Sequence, residues 1–399
     1  MVVIALGVIA YISENVFVTG FFCSIVVLIV GVFFLNDLLN NLKEQFVSKP
    51  YVAILISENV PPEFNIPIDL IEGFEKKRRE RGLCFATKSK KVEIKFKNDH
   101  LDRTESSKFI KELNNDKNCI LLIANANSTL TDSNIDELLK ETNKIPLIMP
   151  IATHNTIIEK TNENNYKGVL RMLPDNNKQA ELIQRFISDY LRIKGQHVAI
   201  FGDKINDLYS GKMWDNIANR LRTKGVFVST GHLIDNSNAL PDDIDKVAVV
   251  IYAGIPPQVL KIQDKLKKPL ENEELNKVKL IMTDGCLGSS TFESIQSENC
   301  FILSPIDFDR LPNEKGSYKP IGEDTYELCA KILSISKPTR KSVYETIENG
   351  RGNRDKNKNL NIVSVSGKPY IFNSDGNNEG WGYSVYTIEN GRIGKKIFE

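Results

Sequence analysis

"GVLRMLPDNNKQAELIQRFISDYLRIKGQHVAIFGD", Gly168 to Asp203, decides how this chain is organised. A short apolar run leads into a Pro-Asp loop, a helix-period pattern follows, and "HVAIFGD" closes the stretch as an apolar strand. Apolar residues at helical spacing mark one buried helix face, and an unbroken apolar run marks a strand covered on both sides. A strand–helix–strand unit of this kind belongs to a parallel sheet, and here it restarts a pattern that has already run once upstream.

The first run begins at Tyr51. "YVAILIS", "VEIKFKND", "CILLIAN" and "IPLIMPIAT" read as strands, separated by helices over Ile68–Arg81, Glu105–Leu113 and "NIDELLKET". After Gly168 the alternation resumes. The helix "GKMWDNIANRLRTKG" is followed by the strands "VFVSTGHL", "KVAVVIYAG" and "VKLIMTDG", with a helix over Pro257–Leu266 between the last two. Two successive doubly wound α/β units result. The tail adds two helices, "GEDTYELCAKILSIS" and "TRKSVYETIENG", and a charged loop, "RGNRDKNKN". Two strand-rich runs close it, joined by the turn chemistry of Asp375-Gly376-Asn377, and Asn390-Gly391 is a further turn signal.

The first 49 residues differ from the rest. "VFVTGFFCSIVVLIVGVFFL", Val16 to Leu35, carries no charge, and ~20 apolar residues in helix reach ~30 Å, the thickness of a bilayer core. The segment lacks the basic start and small-residue cleavage site of a secretory leader, so it reads as an uncleaved transmembrane anchor followed by a polar stalk. Lys43 and Lys49 weakly favour a cytoplasmic remainder.

With 52 basic and 51 acidic residues the net charge is +1, which argues against a binder driven by neutralising nucleic-acid phosphates. The six cysteines, Cys23, Cys84, Cys119, Cys286, Cys300 and Cys329, show no metal-ligand spacing, and the four histidines are scattered. An oxidising compartment would permit a Cys286–Cys300 disulfide, though nothing in the spacing requires one. There is no phosphate loop, no dinucleotide fingerprint and no nucleophile elbow. The expectation is therefore a non-enzymatic chain without metal or cofactor.

Three stretches carry a family resemblance. "RMLPDNNKQAELIQRFI" with "HVAIFGDKINDLYSGKMWDNIANRLRTKG", "KIPLIMPIATHNTI", and "YIFNSDGNNEGWGYSVYTIENGRI" occur in an order similar to that of the type I periplasmic binding proteins. This group includes the branched-chain amino-acid ABC transporter substrate-binding proteins and receptor ligand-binding regions. The resemblance implies two Rossmann-like lobes joined by three crossovers, closing on a ligand between them. Lobe 1 is expected over 50–170 with a return over 304–362, and lobe 2 over 171–303 with C-terminal strands over 363–399, all after the 1–49 anchor and stalk. Independently, open α/β sheets bind ligands beyond the carboxyl ends of their strands.

The resemblance places Ser128 and Thr129 at a ligand carboxylate, where a helix start also offers unpaired N–H groups. Ile151 would contribute its backbone and Thr153 its hydroxyl. From lobe 2, Tyr209 and Tyr252 would cover the ligand's apolar part, although the residue after Tyr209 is Ser210 and the family's glycine comes only at Gly211. Asp284, at the end of "VKLIMTDG", matches the acid that pairs with an α-ammonium group. Each has a structural reading as well: helix cap, loop residue, half-buried aromatic or turn. The expected function is capture of an amino acid or analogue by a membrane-tethered, extracytoplasmic protein that delivers it to an ABC-type importer. The alternative is a sensing receptor subunit that signals through a separate membrane partner. Placement within this group outweighs the two lysines in setting the extracytoplasmic side.

Overall fold

The unbroken apolar runs form the middle of two sheets, as burial on both faces demands. In the computed structural model the described residues are 30, 32, 49–57, 66–81, 85–86, 91–124, 127–193, 196–204, 207–228, 232–234, 247–256, 259–262, 278–288, 292, 295, 299–314, 316–352 and 360–399. The chain divides between Lys49 and Pro50, and every element below belongs to the second unit. The apolar segment 16–35 and its stalk lie outside the described residues, apart from Val30 and Val32, which are helical. Among the described residues no helix is long and apolar enough to cross a membrane.

The first sheet contains β1 (Tyr51–Ile56), β2 (Phe85–Ala86), β3 (Lys91–Asn98), β4 (Cys119–Ile123), β5 (Leu147–Met149) and β6 (Val169–Arg171), in the order β2-β3-β1-β4-β5-β6. Its strands are parallel except for the short edge strand β2. β1 and β4, in the middle, are buried at every position. The connecting helices are α1 (Ile66–Arg81), α2 (Arg103–Asn115), α3 (Ser128–Leu139) and α4 (Asn155–Glu163). Asp102 caps α2 and Asn127 caps α3, each side chain accepting a main-chain N–H from three residues on.

The second sheet follows α5 (Asn176–Arg185) and is interrupted by α6 (Asp207–Thr223). It comprises β7 (His197–Asp203), β8 (Phe227–Val228), β9 (His232–Ile234), β10 (Val249–Ala253), β11 (Lys279–Met282), β12 (Cys300–Ser304), β13 (Ser384–Glu389) and β14 (Arg392–Phe398). The order is β14-β13-β12-β11-β10-β7-β8, with β9 pairing β7. Between β12 and β13 the chain returns to the first sheet, where α7 (Lys319–Ile335) packs on α1 and α8 (Arg340–Gly350) on β4 and β6. It therefore passes between the sheets after β6, after β12 and again before β13.

The α1–α7 contact depends on two glycines. A Cβ on Gly73 would lie 2.0 Å from the Lys319 carbonyl oxygen, and one on Gly322 would lie 2.1 Å from that of Leu70. Backbone meets backbone there, and the Tyr318 N–H at the start of α7 donates to the Asp69 carboxylate at 3.1 Å.

Several expectations change in detail. The long helix after Pro174 ends at Arg185 and continues as a single π turn, Phe186–Tyr190. That turn aims Phe186 at Phe301 and Phe398, with ring centroids 5.3 and 5.6 Å away. "VFVSTGHL" contributes β8 and β9, and the short run "CFILS", between Asn299 and Pro305, forms the further strand β12. The run "IVSVSGKPYIFNSDGN", residues 362–377, expected as strand-rich, forms isolated bridges instead, one of them to Arg171 of β6. The Arg171 N–H donates to the Gly376 carbonyl at 2.8 Å, and the Asn378 N–H donates to the Arg171 carbonyl at 3.2 Å. Gly376 has φ +86°, and a Cβ there would lie 2.2 Å from the Val169 carbonyl oxygen, so the Asp-Gly-Asn turn is a docking device. The closing hairpin is β13–β14, turning at Asn390 and Gly391 with φ of 52° and 71°. Cys119, Cys286, Cys300 and Cys329 are buried free thiols, so no Cys286–Cys300 bridge forms.

Candidate functional site

The carboxyl ends of β4 and β5 face those of β7, β10 and β11 across the crossovers. A cavity of about 30 Å³ lies there, lined by Asn127, Ser128, Ile151, Thr153 and Ile66 from the first-sheet side, and by Tyr209, Ile255, Asp284 and Gly285 from the second-sheet side. Tyr318, at the start of α7, completes the lining. Such a volume is on the scale of one water molecule, far below the ~300–1,000 Å³ of a typical ligand pocket. The two sides are closed on each other around this space.

The first-sheet wall is built locally. Strand β4 ends, Asn127 caps α3 by accepting the Leu130 N–H at 2.8 Å, and Ser128 and Thr129 become the first helical residues, where main-chain N–H groups lie outside the intrahelical ladder. After β5, the loop Ile151–His154 is held from behind by Arg171, whose guanidinium donates to the carbonyls of Thr153 at 3.1 Å and His154 at 2.9 Å. The His154 N–H points at the Ser128 hydroxyl oxygen, 3.4 Å away, and its ring Nδ1 lies 2.6 Å from the Thr156 hydroxyl. Burial pushes the His154 imidazole down to about 4, with Arg171 and Lys212 acting the same way against Asp132. This wall is therefore neutral, rich in donors and suited to an anion.

The second-sheet wall centres on Asp284. β11 ends at Met282, and Asp284 opens a single 3₁₀ turn, Asp284–Cys286. Gly285 follows because a Cβ there would lie 2.6 Å from the Gly254 carbonyl oxygen. The Asp284 carboxylate, 3% exposed, accepts from the Tyr209 hydroxyl at 2.8 Å and the Tyr383 hydroxyl at 3.0 Å. The Tyr318 hydroxyl donates to the Asp284 main-chain carbonyl at 3.2 Å. Burial raises the Asp284 carboxyl above the ordinary range, opposed by hydrogen bonds from Gln179, Tyr209, Tyr383 and the Gly285 N–H. Tyr383 has one hydrogen for two acceptors, since the Pro174 carbonyl is also within 3.1 Å. Protonating Asp284 would free that hydrogen for Pro174.

The structure therefore brings Ser128, Ile151, Thr153, Tyr209 and Asp284 to one cavity. It places two other sequence-predicted residues elsewhere. Thr129 lines a separate outer chamber. Tyr252, expected to cover a ligand, is absent from the lining. Its hydroxyl donates to the Ile255 carbonyl at 2.9 Å and to Asp203 at 3.2 Å, fixing the loop that carries Ile255. Sequence reasoning missed Tyr383, Gln179 and Tyr318. Tyr383 lies 99 positions from the carboxylate it touches, and no local pattern announces such a contact.

No protein-family profile matches the chain, and no curated protein does. Solved structures do. The branched-chain amino acid transporter substrate-binding protein LivJ from Streptococcus pneumoniae, in complex with isoleucine, aligns with TM-score 0.69 and 15% identity over 88% of this chain and 99% of that one. A solute-binding protein of an ABC transporter from Rhodopseudomonas palustris, in complex with 3,4-dihydroxybenzoic acid, aligns with TM-score 0.68 and 11% identity over 88% and 96%. A periplasmic binding protein type 1 from Bordetella pertussis gives 0.66 and 14% over 88% and 100%. This chain has the type I periplasmic binding protein fold.

Proposed function

We propose that this chain is a solute-binding protein that captures an amino acid or close analogue by hinged closure and delivers it to an ABC-type importer. Residues 50–170 with 304–362 and residues 171–303 with 363–399 act as the two lobes. Residues 1–49 tether them to the membrane on its extracytoplasmic side.

The observation that carries the reading is the chemical division of one cavity. Ser128, Thr153 and the start of α3 are donors suited to a carboxylate, and Asp284 opposite is an acid suited to an ammonium group. Between them, Tyr209 and the Ile151 backbone contact the ligand. A charge pair formed in a closed, water-poor space is stronger than one at the surface. No catalytic role is assigned to any residue.

The test is a thermal-shift screen of the full chain in detergent against amino acids, amides, sugars and nucleosides. A ligand at 100 times its dissociation constant should stabilise the fold by ~2.7 kcal/mol. An unchanged shift in Asp284→Asn would remove Asp284 from the site, and no shift with any amino acid would end the amino-acid reading.

A further inference from the structure

Beside the small cavity lies a second space between the same two sheets. It is an open groove of about 530 Å³ bounded by Arg103 of α2, by Thr129 and Asp132 of α3, and by Leu208, Lys212 and Trp214 of α6. That volume falls within the range of small-molecule sites. Their linings are neighbours along the chain on both sides. Ser128 lines the inner one and Thr129 the outer, and across the gap Tyr209 lines the inner one and Leu208 the outer. Asp284 lines only the inner space.

We propose that the ligand is an α-aminoacyl compound extended through its carboxyl group, in the simplest case a dipeptide, spanning both spaces. The inference rests on the solute-binding reading above. With the ammonium group held at Asp284, the carboxyl group sits at Ser128, whose chain neighbour Thr129 lines the outer space. Converting that carboxylate to an amide keeps a carbonyl oxygen for the α3 N–H groups and leads the chain outward. Isoleucines 66, 151 and 255 and Tyr318 narrow the inner space, so the first residue is small.

The outer chamber suits the second residue. Lys212 is exposed and has no ion pair among the described residues, so it is available to a terminal carboxylate. Asp132 is neutralised by Lys160 at 2.7 Å, as is Asp136 at 2.9 Å, so the α3 side does not repel that carboxylate. Trp214 is half-buried and offers an apolar face. A Cβ on Gly211 would meet nothing within 4 Å, so the α6 backbone itself borders open space. Asp215, one turn beyond, disfavours an acidic second side chain.

The test is calorimetric titration of the full chain in detergent with L-alanine, L-alanyl-L-alanine and the C-terminal amide of that dipeptide. The dipeptide should bind about ten-fold more tightly than alanine, and its amide should lose that gain, as expected for one charge-assisted hydrogen bond. Lys212→Ala should weaken the dipeptide about ten-fold and leave alanine unchanged. Alanine binding as tightly as the dipeptide, or Lys212→Ala weakening both alike, overturns the inference and leaves the solute-binding reading in place. If neither these nor other free amino acids bind, that reading falls too.

Discussion

The two walls of the cavity are made differently. The first-sheet wall is a helix start and a strand-end loop, in which Asn127 caps its own helix and Thr153 and His154 are held by Arg171 and Ser128, within 26 positions along the chain. The second-sheet wall is a carboxyl group gathered by Tyr209 and Tyr383, which lie 75 and 99 positions away, while Tyr318 from the returning segment holds the Asp284 main-chain carbonyl. Donors for an anion can be made by local backbone geometry. Holding an acid out of water needs partners from several elements, because an unpaired buried carboxylate is costly.

The largest contrast concerns the glycines behind each wall. Gly322→Ala forces a Cβ onto the Leu70 carbonyl and should cost ~3 kcal/mol or more by chemical denaturation. Gly211→Ala in α6 meets open space and should be neutral or stabilise by ~0.5–1 kcal/mol. Equal effects would erase the distinction between a backbone-to-backbone crossing on one side and a free helix face on the other.

Next is the response to pH, which has opposite signs at the two walls. His154 is pushed down to about 4 from 6.5, so its neutral form is favoured in the fold. Its contribution is complete above pH 6.5 and is lost as pH falls toward 4, on the order of 3 kcal/mol in all. Asp284 is raised, so its contribution is complete below 3.8 and declines as pH rises through the folded value. His154→Gln should remove the acid-side loss, and Asp284→Asn should remove the opposing decline. Denaturation midpoints from pH 4 to 7 that fall in parallel for both variants would contradict the assignment.

Ligand binding gives the third measurement. Tyr209→Phe leaves Asp284 with fewer donors to its charged form and should weaken an ammonium ligand about ten-fold, equivalent to ~1.4 kcal/mol. Ser128→Ala on the opposite wall should weaken it less, because the α3 main-chain N–H groups remain. The smallest effect is on the cap: Asn127→Ala should lower stability by ~1 kcal/mol, and a change below a few tenths would show that α3 does not depend on it.

Much of the architecture was legible before any coordinates. Runs such as "YVAILI" and "VVIYA" are apolar at successive positions, and the structure buries every residue of both. The α1 and α6 patterns likewise became helices close to the expected bounds. The strand "CFILS" was overlooked although Asn299 and Pro305 flank it, since a five-residue apolar run fits helix or strand alike. The run 362–377 reads as strand-rich because its composition suits one, but isolated bridges, one of them to Arg171, take the place of a ladder.

The site divided along the same line. Ser128 and Thr153 could be named because a cap and a strand end are properties of adjacent residues. Thr129 went astray by one helical position, which turns a side chain by ~100° and moves it to the outer chamber. Tyr252 went astray because a strand end fixes where a residue starts but not where its hydroxyl finds a partner, and Asp203 and Ile255 claimed it.

Periodicity and apolar run length are written in neighbouring residues, so the sequence alone determined two α/β sheets, their order along the chain and the acid at the end of β11. Which hydroxyls surround that acid, how narrow the space beside it is, and that a larger space opens between α3 and α6 were decided only when segments tens to hundreds of positions apart packed together. Burial energy depends on what finally surrounds a group, and no local stretch contains that information.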